Sequence, residues 1–410
     1  MSYEIAIMDA IACTSHPTDF ASSSEGVAAP RKLRIKILDD LAAAKPDWLE
    51  LERNGLSTPY QHFALVSCWF EYLGKAAGVT PHIVVGEDER GRALFLLPLG
   101  RERIGPLTVA RFAGGKHSNS NLGLWRRDYA PTVTRVDLDR IVGLIGRVDP
   151  SVDLLVLLNQ PMEWDGVANP LAHLPRQDSP SSSHRGKLAP DFDALFQESM
   201  SSARRKKLRN KERALSKHGP IRYWRAETPD DVQRVLEAFF SQKAERMKEL
   251  GLANVFAEAG VRKFIEAAAT PADAGATGAS SIEFYAASVG GVIVATFAGI
   301  ASDHRFCGMF HSMISGELSH YSPGELLLVN VVRMCCERGY TTFDLGIGEA
   351  AYKKTFCGEA EQLFDSVVPL SGLGRIAAPF WRTHLSLKRG IKHSSRARRV
   401  VEAVRRRLAG

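Results

Sequence analysis

The sequence predicts a mixed α/β fold (α+β, with a mixed sheet) built from two units of similar outline. Three observations predict it. The 410 residues exceed one ordinary domain and suit two units of roughly 150–200 residues. Apolar runs of strand length alternate with stretches whose apolar residues recur every three or four positions, the period of a helix packed on one side. The order of elements also repeats: each half reads as helices, a hairpin, a further strand, then a helix and a strand, although no residue-level repeat accompanies it.

In the first half, residues 1–30 are Ser- and Ala-rich towards their end and read as a loose N-terminus. Leu33–Leu38 alternates basic and apolar residues, a strand, and Asp39–Arg53 reads as a helix. Phe63, Val66, Trp69, Phe70 and Leu73 place one helix over Pro59–Gly74. Ile83–Val85 and Ala93–Pro98 flank Asp88-Glu89-Arg90-Gly91 as a hairpin, Val136–Val148 is a helix and Asp153–Leu158 a buried strand. Gln177–Pro190, with Pro180, three serines and Gly186, reads as the linker, dividing a first domain (residues 31–180) from a second (191–375).

In the second half, Phe192–Leu215 reads as one basic helix, followed by helices over Asp230–Leu250 and Glu258–Ala269 and a small-residue loop, Pro271–Ser281. Ile282–Val289 and Val292–Ile300 are strands joined at Gly290-Gly291, Arg305–Met313 is a third, and Ser315–Tyr321 a loop. Ser322–Arg338 is a helix stopped at Gly339, Thr341–Leu345 a short strand, and Glu349–Phe356 a helical turn.

Composition excludes several classes. No apolar run reaches the ~18–20 residues of a membrane helix, and Met1–Ala12 lacks the basic leader of a secretory signal. The six cysteines form no C-x-x-C pair and have no His at ligand spacing, so no metal site is expected; unpaired thiols suit a reducing compartment, hence a cytoplasmic location. The net charge of +7 resides in the end of the chain, where Lys388–Gly410 holds nine basic residues against Glu402. Residues 376–410 therefore read as a basic tail suited to a membrane surface, nucleic acid, an acidic partner or simple solvation.

Chemistry concentrates in Phe306–Phe356. Ser322 suits an N-cap, Pro323 the first helical position, and Glu325 completes a capping box. A helix start presents free N–H groups and a positive dipole end, which suits a diphosphate, and Gly324 lets phosphates approach the backbone; a plain capped helix is the alternative. No Walker A loop or G-x-G-x-x-G follows a strand, which disfavours nucleotide hydrolysis and dinucleotide binding. Asp344, a lone carboxylate in an apolar strand, serves either a substrate or a neighbouring loop, and His311 titrates in the range a base needs. Seven basic side chains among Arg204–Arg213 suit an anionic ligand or a solvated helix; without aromatic residues among them, specific nucleic-acid reading is not expected.

The ordered set Tyr321-Ser322-Pro323-Gly324-Glu325-Leu326-Leu327, Gly339, Phe343-Asp344-Leu345-Gly346 and Tyr352-Lys353, with the basic helix Arg204–Arg213 and Thr58-Pro59-Tyr60-Gln61, resembles GNAT-superfamily acetyltransferases of the CelD type, associated with cellulose biosynthesis. That family is similar to the Fem peptidyltransferases, which pair two GNAT-like units. The resemblance implies tandem GNAT-like domains, the C-terminal one holding acetyl-CoA or another acyl-CoA at Tyr321, Ser322, Gly324, Glu325 and Lys353. It implies direct acyl transfer to an amine or hydroxyl of a small molecule or saccharide. A strand amide would polarise the thioester carbonyl, His311 or Asp344 would act as base, and Tyr352 would protonate the leaving thiolate; a Tyr packed under the sheet is the alternative there. A Fem-like aminoacyl-tRNA transferase and a non-catalytic scaffold for a membrane synthase remain as other readings.

Overall fold

The computed structural model describes residues 33–258, 260–270, 281–348, 353 and 355–393. The loose N-terminus, most of the Pro271–Ser281 loop, Tyr352 and the basic run past His393 lie outside these residues.

Strand β1 (Arg34–Leu38) leads to α1 (Leu41–Asn54), whose start is capped by the Asp40 carboxylate accepting from Ala42 N at 2.9 Å. Ala44, Trp48 and Leu51, spaced by four and three, are its buried stripe. After β2 (Gly55–Leu56), the single helix expected over Pro59–Gly74 is divided. A 3₁₀ turn (Pro59–Gln61) precedes α2 (Phe63–Trp69), and a π turn (Phe70–Gly74) continues it. His62 is extended between the first two, and the Glu52 carboxylate accepts from Phe63 N at 2.8 Å, starting α2 afresh.

The hairpin β3 (Thr80–Glu87) and β4 (Ala93–Ile104) is followed by β5 (Leu107–Phe112), β6 (Leu124–Arg126), α3 (Arg135–Val148) and β7 (Leu154–Gln160). A two-residue pair, β8 (Glu163–Trp164) and β9 (Val167–Ala168), stands apart.

The expected linker is instead a strand, β10 (Arg176–Lys187), in the middle of the main sheet. Pro180 falls where the register with its neighbour shifts between Asp178 and Ser182, the position in a sheet that tolerates proline. Gly186 is needed because an added Cβ would lie 1.7 Å from the Phe356 carbonyl oxygen. The small residues that suggested a linker thus fit a strand crowded from above.

The expected helix Phe192–Leu215 is two, α4 (Phe192–Ser199) and α5 (Ser202–Leu215). Met200 is extended and buried between them, and Ser201 Oγ caps α5 by accepting from Arg204 N. There follow β11 (Ile221–Arg225), α6 (Pro229–Glu249), α7 (Val261–Ala269), β12 (Glu283–Val289), β13 (Val292–Ala301), β14 (Arg305–Met313), α8 (Pro323–Glu337), β15 (Thr342–Ile347), β16 (Glu359–Pro369) and α9 (Gly372–His393). Residues 376–393 of the expected tail therefore belong to a helix, whose Ala378 and Leu385 pack against Val109, Leu154, Val156 and Val367.

Fourteen strands form one sheet whose main path runs β1-β3-β4-β5-β7-β16-β10-β15-β14-β13-β12-β11, with β6 joining β2 to β4. Its two ends mirror each other. In each, an antiparallel meander ends in a parallel pair, β5 with β7 and β14 with β15. A parallel pair needs a crossover, which α3 supplies in the first half and α8 in the second. At the centre the halves exchange strands: β10 follows β7 in the chain but pairs with β15, and β16 follows β15 but pairs with β7. Each half is therefore completed by the other.

Candidate functional site

The two parallel pairs part in the same way and are treated differently beyond that point. β5 and β7 pair at Val109–Arg111 against Leu154–Val156. The gap beyond is closed by Asn121, whose N donates to Asn159 O and whose Nδ2 donates to Leu158 O, both at 2.9 Å. β14 and β15 pair at Arg305–Cys307 against Thr342–Asp344, and from Gly308 to Met313 β14 pairs with β13 alone. On the far side of this second wedge, β15 turns at Gly346, with φ at +66° and no room for a Cβ beside Asn119. A cleft of about 340 Å³ lies between α6 and the end of β14, lined by Gln242, Lys243, Arg246, His311 and Met313 among others.

The crossover helices differ in the same sense. α3 carries a formed capping box, Thr134 with Asp137, which satisfies its first amides and sets a carboxylate at its start. α8 does not form the box expected of Ser322 and Glu325. Ser322 N donates to Ser319 O, so Ser322 ends the Glu317–Tyr321 turn while opening α8, and the left-handed backbone this demands (φ 55°, ψ 53°) takes Oγ out of capping position. Oγ instead accepts from Lys211 Nζ at 2.6 Å, and Glu325 accepts from Arg204 Nη2 at 2.7 Å. Tyr321 OH lies 3.2 Å from His218 Nε2. The basic helix α5 is held here by buried Leu208 and Leu215, so its cations surround an uncapped helix start. A Cβ on Gly324 would touch Met313 Sδ at 3.5 Å, an ordinary contact, which puts the helix start beside the end of β14.

Tyr321, Ser322, Gly324 and Glu325 are thus brought together, with Lys211, Arg204 and His218 added to them. Lys353 is not part of this group. It is 5% exposed and donates to the carbonyls of Gly346 and Ile347 at 3.0 and 2.8 Å, holding the turn of β15 rather than meeting a phosphate at the surface. Asp344 is likewise enclosed: Oδ1 accepts from Ser183 Oγ at 3.0 Å and from Gly346 N at 2.6 Å, and Oδ2 is 3.7 Å from Arg305 Nη1. A carboxylate so occupied braces the strands and is not placed to act as a base. Arg305 lies 3.6 Å over the Trp164 ring and 3.7 Å from Asp165, so the small β8–β9 pair closes this buried cluster. Glu283 on β12 is bridged by the Arg338 guanidinium, which holds its carboxyl below the usual range despite burial.

His311 stands at the wedge mouth, exposed to the cleft yet crowded by protein. Burial, then Lys243 and Lys353, push its pKa down to about 4, so it is neutral near pH 7. Burial also lowers the Lys243 ammonium. Lys243 had no sequence signal beyond being one more basic residue of an amphipathic helix. Tyr60, part of the Thr58-Pro59-Tyr60-Gln61 motif, accepts at its OH from Asn119 Nδ2 at 3.0 Å beside Gly346. Tyr352 lies outside the described residues.

Residues 202–354 match the family model described as an acetyltransferase (GNAT) domain. Among solved structures, the crystal structure of FemX is similar at 11% identity and a TM-score of 0.54, covering 78% of this chain and 98% of that one. The C-terminal domain (DUF2156) of a protein described as a lysylphosphatidylglycerol synthetase from Agrobacterium fabrum is similar at 12% identity and a TM-score of 0.50, covering 84% and 97%. Identities this low establish the fold alone. A comparison with curated proteins finds no match. The domain match and the mirrored halves together give a tandem GNAT-like fold, whose second half is the part similar to the acetyltransferase (GNAT) family model.

Proposed function

We propose that the chain transfers an acyl group from a CoA thioester to an amine or hydroxyl, with donor and chemistry in the second half. The observation that carries this reading is the uncapped start of α8, with Lys211 and Arg204 upon it, beside the end of β14, the strand that parts from β15. Amides at a helix start, its dipole and two cations together suit a diphosphate. Arg204 pairs with Glu325, a carboxylate of the first turn that would otherwise oppose an anion there. The corresponding start in the first half is capped and its wedge is closed by Asn121, which favours a single donor site.

In this reading the acyl carbon sits in the wedge, where a β14 amide polarises its carbonyl. Neutral His311 takes the proton of the acceptor as the acceptor's N or O bonds to the carbonyl carbon. The C–S bond then breaks, and the departing thiolate is protonated, the role that the family resemblance gives Tyr352. The CelD resemblance favours an acetyl group and an acceptor from exopolysaccharide or cell-envelope synthesis, acted on in the cytoplasm; the side chains of Gln242, Lys243 and Arg246 on one wall of the cleft offer hydrogen bonds to such an acceptor.

Calorimetric titration of CoA into the full chain tests the donor. Lys211→Glu is expected to weaken binding at least about tenfold, since it replaces a cation on the anion with a like charge. No binding by the parent chain at about millimolar CoA would remove the reading. The exposed Lys206, Lys207, Arg209 and Arg213 of α5 support a second donor, aminoacyl-tRNA; that donor, and not CoA, would then be displaced by uncharged tRNA.

A further inference from the structure

We propose that the outer face of α9 docks on an anionic lipid surface. The inward face of this helix is already satisfied, with Ala378 and Leu385 packed against Val109, Leu154, Val156 and Val367. On the opposite side Leu373, Ile376, Phe380 and Leu387 are 44%, 67%, 73% and 62% exposed. Their spacing of three, four and seven keeps them on one stripe, about 21 Å long at the rise of an α-helix. Large apolar side chains scattered singly on a surface need no explanation, whereas a continuous stripe of four does.

Charge identifies the occupant. α9 contains Arg375, Arg382, Lys388, Arg389 and Lys392 and no acid. Arg382, Arg389 and Lys392 are bonded to β16 or β10, at Val367 O, Asp178 and Ser181 respectively, while Arg375 and Lys388 are exposed. The sequence past His393 adds six arginines against Glu402. A second copy of this face would oppose cation to cation. An anionic bilayer accepts both features, apolar side chains at the acyl boundary and cations among the headgroups. Among the described residues no helix is long and apolar enough to cross a membrane, so the helix would lie on the surface. The proposal does not depend on the acyl-transfer reading.

The test is co-sedimentation of the full chain with vesicles of phosphatidylcholine containing about 30% phosphatidylglycerol, against phosphatidylcholine alone. The parent is expected to bind the anionic vesicles and to release as salt rises from about 0.1 M to about 0.5 M. The I376Q/F380Q double variant, altered only at exposed positions, is expected to keep its melting temperature and bind at least about tenfold more weakly. Parent chain that fails to bind anionic vesicles, or a double variant that binds like the parent, overturns the proposal. So does a parent dimer that ignores vesicles and is split by the same substitutions, which would assign the stripe to a second copy.

Discussion

Asp344 and His311 show how alike two candidates look in a sequence and how differently they are placed. Asp344 was noticed because a carboxylate in an apolar strand needs a reason. The reason is a buried cluster with Ser183, Gly346 N and Arg305, which no local pattern reveals because Ser183 comes from the exchanged strand β10. Asp344→Asn should therefore act on stability. Breaking one side of a buried pair costs about 3–5 kcal/mol, read as a lower denaturation midpoint in urea, while turnover of the remaining folded protein stays near that of the parent. His311→Gln should do the reverse, leaving the midpoint in place and lowering kcat about 10²-fold or more, the usual contribution of a positioned base. If the Asp344 variant loses turnover at full stability, the assignments exchange.

At the scale of elements, the two crossover helices give a matched comparison. Residue types predict a capping box for α8, where none forms, while α3 forms one from Thr134 and Asp137. A capping box is defined by residue types, but it forms only if the cap residue is extended. Thr134 is extended (φ −103°, ψ 172°), whereas Ser322 is left-handed because it must also close the preceding turn. Thr134→Ala should accordingly cost about 1 kcal/mol in chemical denaturation, the usual loss of a cap. Ser322→Gly removes no cap and relieves the left-handed backbone, so it should leave stability equal or higher by up to about 1 kcal/mol. Equal losses at the two sites would contradict this difference. The hairpins, α1, α3 and the alternation of β12–β14 were legible because their periodicity is local. β10 was not, because proline, serines and glycine have the same composition in a linker and in a strand squeezed at the centre of a sheet.

At the scale of the whole molecule, burial of neutral histidines links stability to pH. Burial pushes His82, His117 and His311 down to about 4 from an ordinary 6.5. Below pH 6.5 the unfolded chain takes up protons that the folded chain refuses, so stability is full above that pH and falls as the pH drops towards 4. Asp365, raised by burial to about 6, works in the opposite sense and offsets part of the loss. His82, 2% exposed, withdraws about 2 kcal/mol between about pH 7 and about pH 5. The urea midpoint should therefore fall over that range, and less steeply in His82→Asn; an unchanged slope in the variant would remove His82 from the account. By itself the sequence determined what rests on short-range regularity: two α/β units, the crossover helix before Gly339, and the cluster of cations on α5. The tertiary structure alone decided that the units exchange β10 and β16, that one wedge is closed by Asn121 and the other opens beside His311, and that the cations meet the start of α8. Those outcomes depend on contacts between residues 37 to more than a hundred positions apart, and local sequence patterning carries no record of which distant partner each side chain will find.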